Sequence, residues 1–282
     1  MVYYISAPET IFKPVKERLL EDGSPRHYLL SFATSSRHFE QFYQEGLNSI
    51  MIDSGAFSAW NSGKTIDREA YLEYCKKLPS EVIKINLDVI PKTGSSQEEK
   101  LICIEQSFEN YLYLKKHLDN VIPVHHYGED IAWAKKMLEE TDYICISPAN
   151  DTHESIKREY FKYVFSELPV GVKTHTLGYS STDGMDMFPF YSLDSISHKM
   201  THMHGTVLYL RSDGSFRKID IGDYAKLHGF SYNPAVGLSK QRDLLEESSH
   251  LTIINLLNYV DFLTEKHLEK DFGYIKQQLK LF

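Results

Sequence analysis

Three aspartates are the residues of this sequence best suited to chemistry, because each comes at the end of a short apolar run. Asp53 follows SIMI, Asp88 follows VIKINL and Asp194 follows FYSL. A carboxylate is costly to bury against apolar neighbours, so each needs a turn, a charge partner or a reaction to explain it. Two facing carboxylates suit a displacement at a sugar carbon, where one attacks the anomeric carbon and the other moves the proton of the departing group.

Each aspartate also has a purely structural explanation. Asp53 can form an Asx turn in which Gly55 supplies the unusual backbone angles. Asp88 can accept hydrogen bonds from loop amides, and Asp194 can cap a following helix. One shared site explains all three aspartates at once, whereas the structural reading needs three independent turns at one end of a sheet.

The three aspartates can meet only if the runs before them are strands of one sheet. Apolar, β-branched runs begin at residues 2, 27, 49, 82, 121, 143, 170 and 206. Between them, apolar residues recur at helical spacing over 68–78, 98–118 and 129–140. This alternation predicts an α/β fold with a parallel sheet, and about eight strands without a glycine-rich nucleotide loop favour a (β/α)8 TIM barrel. Residues 240–282 read as C-terminal helices that close the barrel.

Other polar residues follow the same runs. In a parallel barrel the active site lies at the carboxyl ends of the strands. Phe57, four residues after Asp53, offers a face on which a base can stack, and a third carboxylate can accept hydrogen bonds from the ring N–H and amino group of guanine. The polar residues after the remaining runs are His125, His126, Ser147, Asn150 and His175.

Composition limits the class of protein. The chain has 282 residues, 42% of them apolar, which suits one domain spanning residues 1–282. Its three cysteines form no CxxC pair, so neither a zinc module nor a disulfide framework is expected, and a reducing cytoplasm is the expected compartment. No apolar stretch is long enough for a membrane span. The net charge of −8 is the wrong sign for indiscriminate binding to phosphate backbones.

Six segments, taken in order, resemble the tRNA-guanine transglycosylase superfamily. The most similar branch is the phage branch that places 7-deazaguanine bases in DNA. No single motif is very specific, and the resemblance depends on their order. The segments are DSGAF (53–57), NLDVIP (86–91), PVHHYGE (123–129), ISPAND (146–151), VKTHTLGYSS (172–181) and PFYSLDS (189–195).

The resemblance implies a TIM barrel that replaces guanine with a 7-deazaguanine of the preQ0 type through a covalent enzyme–sugar intermediate, without a cofactor or a metal. Asp194 matches the nucleophile, and Asp53 matches the aspartate that moves the proton. The implied base-binding residues are Asp88, Phe57, Ser147, Pro148, His126 and Leu177. The implied supporting residues are Ser54, Gly55, Asn150 and His175.

Two departures from the family pattern bear on the substrate. His126 stands where the family has a glutamine, which changes how the base edge would be read. The cysteine-rich zinc module of the bacterial tRNA enzymes is absent, which favours DNA over tRNA as the partner, together with a free 7-deazaguanine base. The expected role is modification of phage DNA against host restriction, in the host cytoplasm.

Three alternatives remain open at this stage. The first is the same exchange on tRNA. The second is a metal-dependent barrel hydrolase, which would use His125, His126, His175 and Asp194. The third is a binding protein that keeps the pocket without catalysis.

Overall fold

Nine parallel strands form one nearly closed, barrel-like sheet in the computed structural model, which describes residues 1–23, 26–45, 49–92, 94–149, 152–199, 203–211, 213 and 215–268. Their order is β5-β4-β3-β2-β1-β9-β8-β7-β6. The edge strands β5 and β6 are separated in the chain by Pro123 alone. The predicted α/β class with a parallel, barrel-like sheet is therefore confirmed. The strands are β1 Val2–Ser6, β2 His27–Ser31, β3 Ser49–Asp53, β4 Ile83–Ile85, β5 Val121–Ile122, β6 Val124–His126, β7 Tyr143–Ser147, β8 Lys173–Thr176 and β9 Ser192–Ser195.

Helices alternate with these strands and begin at recognisable caps. Asp67 caps α4 by accepting from the backbone N–H of Ala70. Ser96 and Glu99 form a capping box at the start of α5. The helices are α1 Lys13–Glu21, α2 Phe39–Gln44, α3 Ala56–Asn61, α4 Arg68–Cys75, α5 Gln97–His117, α6 Ile131–Leu138, α7 Glu154–Glu167, α8 Thr182–Met187, α9 Ile221–His228 and α10 Arg242–Leu268.

The three helices predicted between strands are confirmed as α4, α5 and α6. The prediction of C-terminal helices is confirmed for α10, while residues 269–282 lie outside the described residues. Within the described part of the chain, no helix combines the length and apolar character that a membrane crossing requires.

One strand assignment is wrong. The run TVLYL forms strand β10 (Thr206–Leu210), which pairs antiparallel with β11 (Phe216–Asp220) outside the barrel. Helix α10 covers this hairpin, and the Asn255 side-chain amide donates to the carbonyl of Leu208 at 2.8 Å. The barrel strand is instead β9, whose two serines and one aspartate give a weaker apolar signal than TVLYL.

Strand alternation decides which side chains face the interior of the barrel. A small buried cluster fills the interior, and a larger cluster lies between the sheet and the helices. Paired residues of neighbouring strands share a face, so the pair of Tyr4 with Asp194 places the aspartate on the same face as Tyr4, a member of the interior cluster. The interior cluster contains Tyr4, Leu29, Met51, Ile85, Ile122, Val124 and Cys145.

Tyr71 in α4 ties the helix layer to the ends of β3 and β4. Its buried hydroxyl lies 2.7 Å from the carbonyl oxygen of Ile85 and 3.4 Å from that of Ile52. Ile52 directly precedes Asp53, and Ile85 lies three residues before Asp88. The hydroxyl therefore helps to fix the backbone from which two of the three aspartates project.

We expect Tyr71→Phe to lower the free energy of unfolding by about 1–2 kcal/mol, because it removes a buried hydrogen-bond donor without changing the packing of the ring. Urea unfolding followed by circular dichroism measures the change. The matched control is Tyr113→Phe, since the Tyr113 hydroxyl contacts Glu69 at the surface and its loss should cost much less. Equal stability of the two variants would contradict the anchoring role of Tyr71.

Candidate active site

The three aspartates lie near one another at the carboxyl end of the barrel. Asp53 is the last residue of β3, and Asp88 lies three residues beyond β4. Asp194 lies within β9 rather than after a strand, so neither the predicted position nor the helix-cap explanation holds for it. Burial raises the pKa of the Cys145 thiol, and the charges of Asp88, Asp53 and Asp194 raise it further. All three carboxylates therefore lie near one interior side chain.

Asp53 is a carboxyl group that titrates near neutral pH. Burial raises its pKa from 3.8 to about 7, with smaller contributions from the charges of Asp88 and Asp194. Its Oδ2 accepts a hydrogen bond from the backbone N–H of Gly55 at 2.9 Å, so the Asx turn is present as well. This hydrogen bond opposes the rise in pKa without cancelling it. The Asx turn therefore does not explain the raised pKa of Asp53.

The turn after Asp53 requires glycine at position 55. Gly55 has φ +77°, and a Cβ there would lie 2.5 Å from both the Cβ of Ala33 and the Oγ of Ser31. Ser54 is buried, and its Oγ lies 3.4 Å from the backbone N of Ala56. Ser54 and Gly55, two of the four predicted supporting residues, thus shape the backbone that presents Asp53.

Asp194 accepts hydrogen bonds on both of its carboxylate oxygens. The hydroxyl of Ser6 donates to Oδ2 at 2.5 Å, and the backbone N–H of Gly178 donates to Oδ1 at 2.8 Å. The side chain is only 8% exposed. Sequence reasoning missed Ser6, although it ends β1 and meets the same strand-end criterion that selected the aspartates. Asp194 is therefore held in place by donors from two neighbouring parts of the barrel.

Asp88 is paired with His126 and lies close to a second carboxyl group. The Nε2 of His126 lies 3.1 Å from Oδ2 of Asp88. Burial lowers the pKa of His126, but the charges of Asp88 and Glu129 raise it to about 9, so the ring is an imidazolium at neutral pH. Glu129 accepts from the backbone N–H of His126 at 3.1 Å, and burial raises its own pKa to about 7. Sequence reasoning missed Glu129, because it reads as part of the turn that contains Gly128.

The predicted base-binding residues lie near the same strand ends. Phe57 is exposed on α3, and its ring stacks on that of Trp60 at 6.1 Å. Ser147 ends β7, and its carbonyl accepts from the backbone N–H of Tyr127 at 2.8 Å. Leu177 directly follows β8 and packs against the interior cluster. Pro148 is buried next to Ser147, and Asn150 lies outside the described residues.

The two adjacent histidines face opposite sides of the sheet. His126 faces the interior, whereas His125 is buried toward the helices, where its Nδ1 lies 3.0 Å from the hydroxyl of Tyr160 in α7. The Tyr160 hydroxyl donates to the carbonyl of His125 at 2.9 Å. Burial lowers the pKa of His125 to about 4, so the ring is neutral.

The side chains considered for a metal-dependent hydrolase are not brought together. His175 and Asp194 lie inside the barrel, with Nε2 and Oδ1 3.3 Å apart, while His125 lies on the other face. Within the described ranges, no group of three or more histidine, cysteine, aspartate or glutamate side chains is placed to hold a metal ion.

Comparisons with known proteins do not assign this chain to a family. No family model matches the sequence, and no curated protein matches it significantly. The chemistry of the site therefore has to be inferred from its side chains.

We expect Asp53→Asn to stabilise the protein at high pH and not at low pH. The pKa of Asp53 is higher in the folded than in the unfolded chain, so its contribution to stability falls as the pH rises from 3.8 to about 7. Because one pKa unit corresponds to about 1.4 kcal/mol and solvent contact reduces the full effect, we expect a gain of about 1–3 kcal/mol at pH 8. Urea unfolding at pH 4 and pH 8 measures it. Asp223→Asn, at an exposed position on α9, is the control. A gain independent of pH would contradict the assignment.

We expect Asp88→Asn to lower the pKa of His126 from about 9, because the charge and hydrogen bond of Asp88 are the main contributions that overcome the effect of burial. Titration of the ring protons by NMR measures the shift. His228→Gln assigns the signals of an exposed histidine on α9, which serve as the reference in both proteins. A His126 pKa that stays near 9 in Asp88→Asn would show that the two side chains are not paired.

Proposed function

We propose that the protein is a transglycosylase that replaces guanine in DNA with a 7-deazaguanine base of the preQ0 type by double displacement. In this reading β5 and β6 count as one strand interrupted at Pro123, which gives an eight-stranded TIM barrel. The observation that supports the proposal most is the difference between two neighbouring carboxyl groups. Asp53 has a pKa of about 7, while Asp194 accepts hydrogen bonds on both oxygens. One group suits proton transfer and the other suits nucleophilic attack.

In the first displacement, a carboxylate oxygen of Asp194 attacks C1′ of the target nucleotide. The C1′–N9 bond breaks, its electron pair goes to the guanine, and a new C1′–oxygen bond forms an ester with the enzyme. The protonated form of Asp53 donates its proton to the departing base, which leaves as neutral guanine. A carboxyl group with a pKa near the working pH suits this role.

In the second displacement, a 7-deazaguanine occupies the place of guanine. The Asp53 carboxylate removes the proton from N9 of the incoming base, and N9 attacks C1′. The C1′–oxygen bond breaks, and its electron pair returns to Asp194. Two inversions restore the original configuration at C1′, and both carboxyl groups regain their starting protonation states.

Recognition of the base follows from the charge arrangement around Asp88. Asp88 can accept from the N1–H and amino group of guanine, and the free N–H of the His126 imidazolium can donate to O6. Phe57 supplies one stacking face, and Leu177 supplies an apolar contact on the other side. A 7-deazaguanine shares the edge that these groups read, so both bases can bind in turn.

The polymer has to be recognised by local positive charge. The exposed side chains of Arg217 and Lys218 lie on β11, and no carboxylate of the described residues lies within salt-bridge distance of either. The basic segment 156–163 is a weaker candidate, because Arg158 and Lys162 form ion pairs with neighbouring carboxylates. The target guanine also has to leave the base stack to reach Asp194.

We expect radiolabelled guanine to enter DNA with wild-type protein. We expect Asp194→Asn to lower the rate at least about a thousandfold, which corresponds to a rise of about 4 kcal/mol in the activation free energy. Unlabelled 7-deazaguanine should compete with guanine, and adenine, which lacks the O6 and N1–H groups, should not. The control is Asp142→Asn, an exposed position before β7.

The same assay with tRNA distinguishes the polymers. Label in tRNA and none in DNA would overturn the choice of DNA while leaving the exchange chemistry in place. Label in neither polymer, or equal label with Asp194→Asn, would overturn the transglycosylase proposal.

A further inference from the structure

A line of polar side chains runs through the barrel interior behind Asp194. The Nε2 of His175 lies 3.3 Å from Oδ1 of Asp194, and its Nδ1 lies 2.7 Å from the hydroxyl of Ser192. The Ser192 hydroxyl lies 2.6 Å from the hydroxyl of Tyr143. His175 and Ser192 are fully buried. The sequence identified His175 as a supporting residue and gave no role to Ser192 or Tyr143.

The two hydrogen bonds of this line are satisfied if the Tyr143 hydroxyl donates to Ser192 and the Ser192 hydroxyl donates to Nδ1 of His175. This arrangement leaves the ring proton on Nε2, 3.3 Å from Oδ1 of Asp194. Nε2 of His175 is buried and forms no hydrogen bond with the described residues, although Oδ1 of Asp194 lies 3.3 Å away. The ring of Tyr4 packs edge-on against His175 at 5.7 Å and restricts its rotation. The ring is thereby held with Nε2 close to Oδ1 of Asp194.

The two oxygens of Asp194 consequently have different surroundings. Oδ1 accepts a hydrogen bond from the backbone N–H of Gly178 and lies 3.3 Å from Nε2 of His175, a contact that does not have hydrogen-bond geometry in this structure. Among the described residues, Oδ2 has one donor, the hydroxyl of Ser6, which can rotate away about its Cβ–Oγ bond. The separation of 3.3 Å between His175 and Oδ1 is long for a hydrogen bond, and contacts of this kind often tighten in the reacting complex.

We propose that His175, supported by Ser192 and Tyr143, is a positioning residue that directs Oδ2 of Asp194 to attack and stabilises charge on Oδ1 when the enzyme–sugar ester breaks. The inference rests on the proposed function. In the ester, Oδ2 is bonded to C1′ and Oδ1 is the carbonyl oxygen. When the C1′–Oδ2 bond breaks, negative charge returns to the carboxylate and spreads to Oδ1, where Gly178 and His175 donate. These donors act on the developing charge as an oxyanion hole does.

The proposal predicts a specific defect when the donor is lost. Without Nε2–H of His175, the carboxylate is a poorer leaving group, so the ester breaks down more slowly. The covalent enzyme–DNA intermediate should then accumulate. A residue with a merely structural role would lower the amount of active protein and would not change the fraction held as intermediate.

The experiment measures exchange rate and covalent enzyme–DNA adduct on denaturing gels for wild type, His175→Leu and His175→Gln. We expect the exchange rate of His175→Leu to fall about 100-fold, with a larger adduct fraction at steady state. His175→Gln keeps an N–H donor and should recover much of the rate. Ser192→Ala removes the group that fixes the tautomer and should show a smaller effect in the same direction.

The matched control is His125→Gln, since His125 is buried in the neighbouring part of the barrel but faces α7 instead of Asp194. Its adduct fraction should equal that of wild type even if its stability falls, and thermal unfolding of each variant reports folding separately. The proposed role of His175 would be overturned if His175→Leu folds and is less active but has the adduct fraction of wild type. An unchanged exchange rate in His175→Leu would overturn it as well. Absence of exchange and adduct in wild type would instead overturn the proposed function.

Discussion

The burial of three carboxyl groups at one end of the barrel, where their charges also repel one another, is the constraint on which the rest of the site depends. Water would screen these charges at the surface, but burial removes that screening and each group needs another compensation. The protein compensates each buried carboxyl group in a different way. Asp194 has donors on both oxygens, Asp88 has an imidazolium partner, and Asp53 takes up a proton near neutral pH. The three aspartates are thereby chemically different, although they have the same side chain.

The fold makes this arrangement possible through strand alternation. In a parallel, nearly closed sheet, every second residue of each strand faces the interior, and the carboxyl ends of all strands meet at one rim. His125 and His126 show how strict the alternation is, because adjacent positions give a neutral ring under a helix and a charged ring at the mouth. A shift of β6 by one residue would exchange them and leave Asp88 without its partner.

Much of this could be predicted from the sequence, because strand-end aspartates and helical spacing are local signals. Strand β9 and the hairpin β10–β11 were harder, since the barrel strand has the more polar sequence and α10, distant in the chain, covers the hairpin. Ser6 meets the strand-end criterion, but its contact with Asp194 depends on the pairing of β1 with β9. The contact of Glu129 with His126 depends on a turn, and a glutamate alone gives no signal for it. The pKa of Asp53 also depends on burial, which composition does not specify.

The way in which the three buried carboxyl groups are stabilised favours catalysis over simple binding of a base. A protein that only held a base would gain stability from an apolar or amide side chain at position 53, where an ionised carboxyl is unfavourable. Keeping a carboxyl there makes sense if its proton has to move during the reaction. Asp194 supports the same conclusion, because its donors hold a carboxylate in one orientation. Recognition of a base by Asp88 and His126 does not require an oriented carboxylate at position 194. The cost in stability falls on Asp53, the group whose proton a double displacement would move, whereas Asp194 has its two donors and Asp88 has His126.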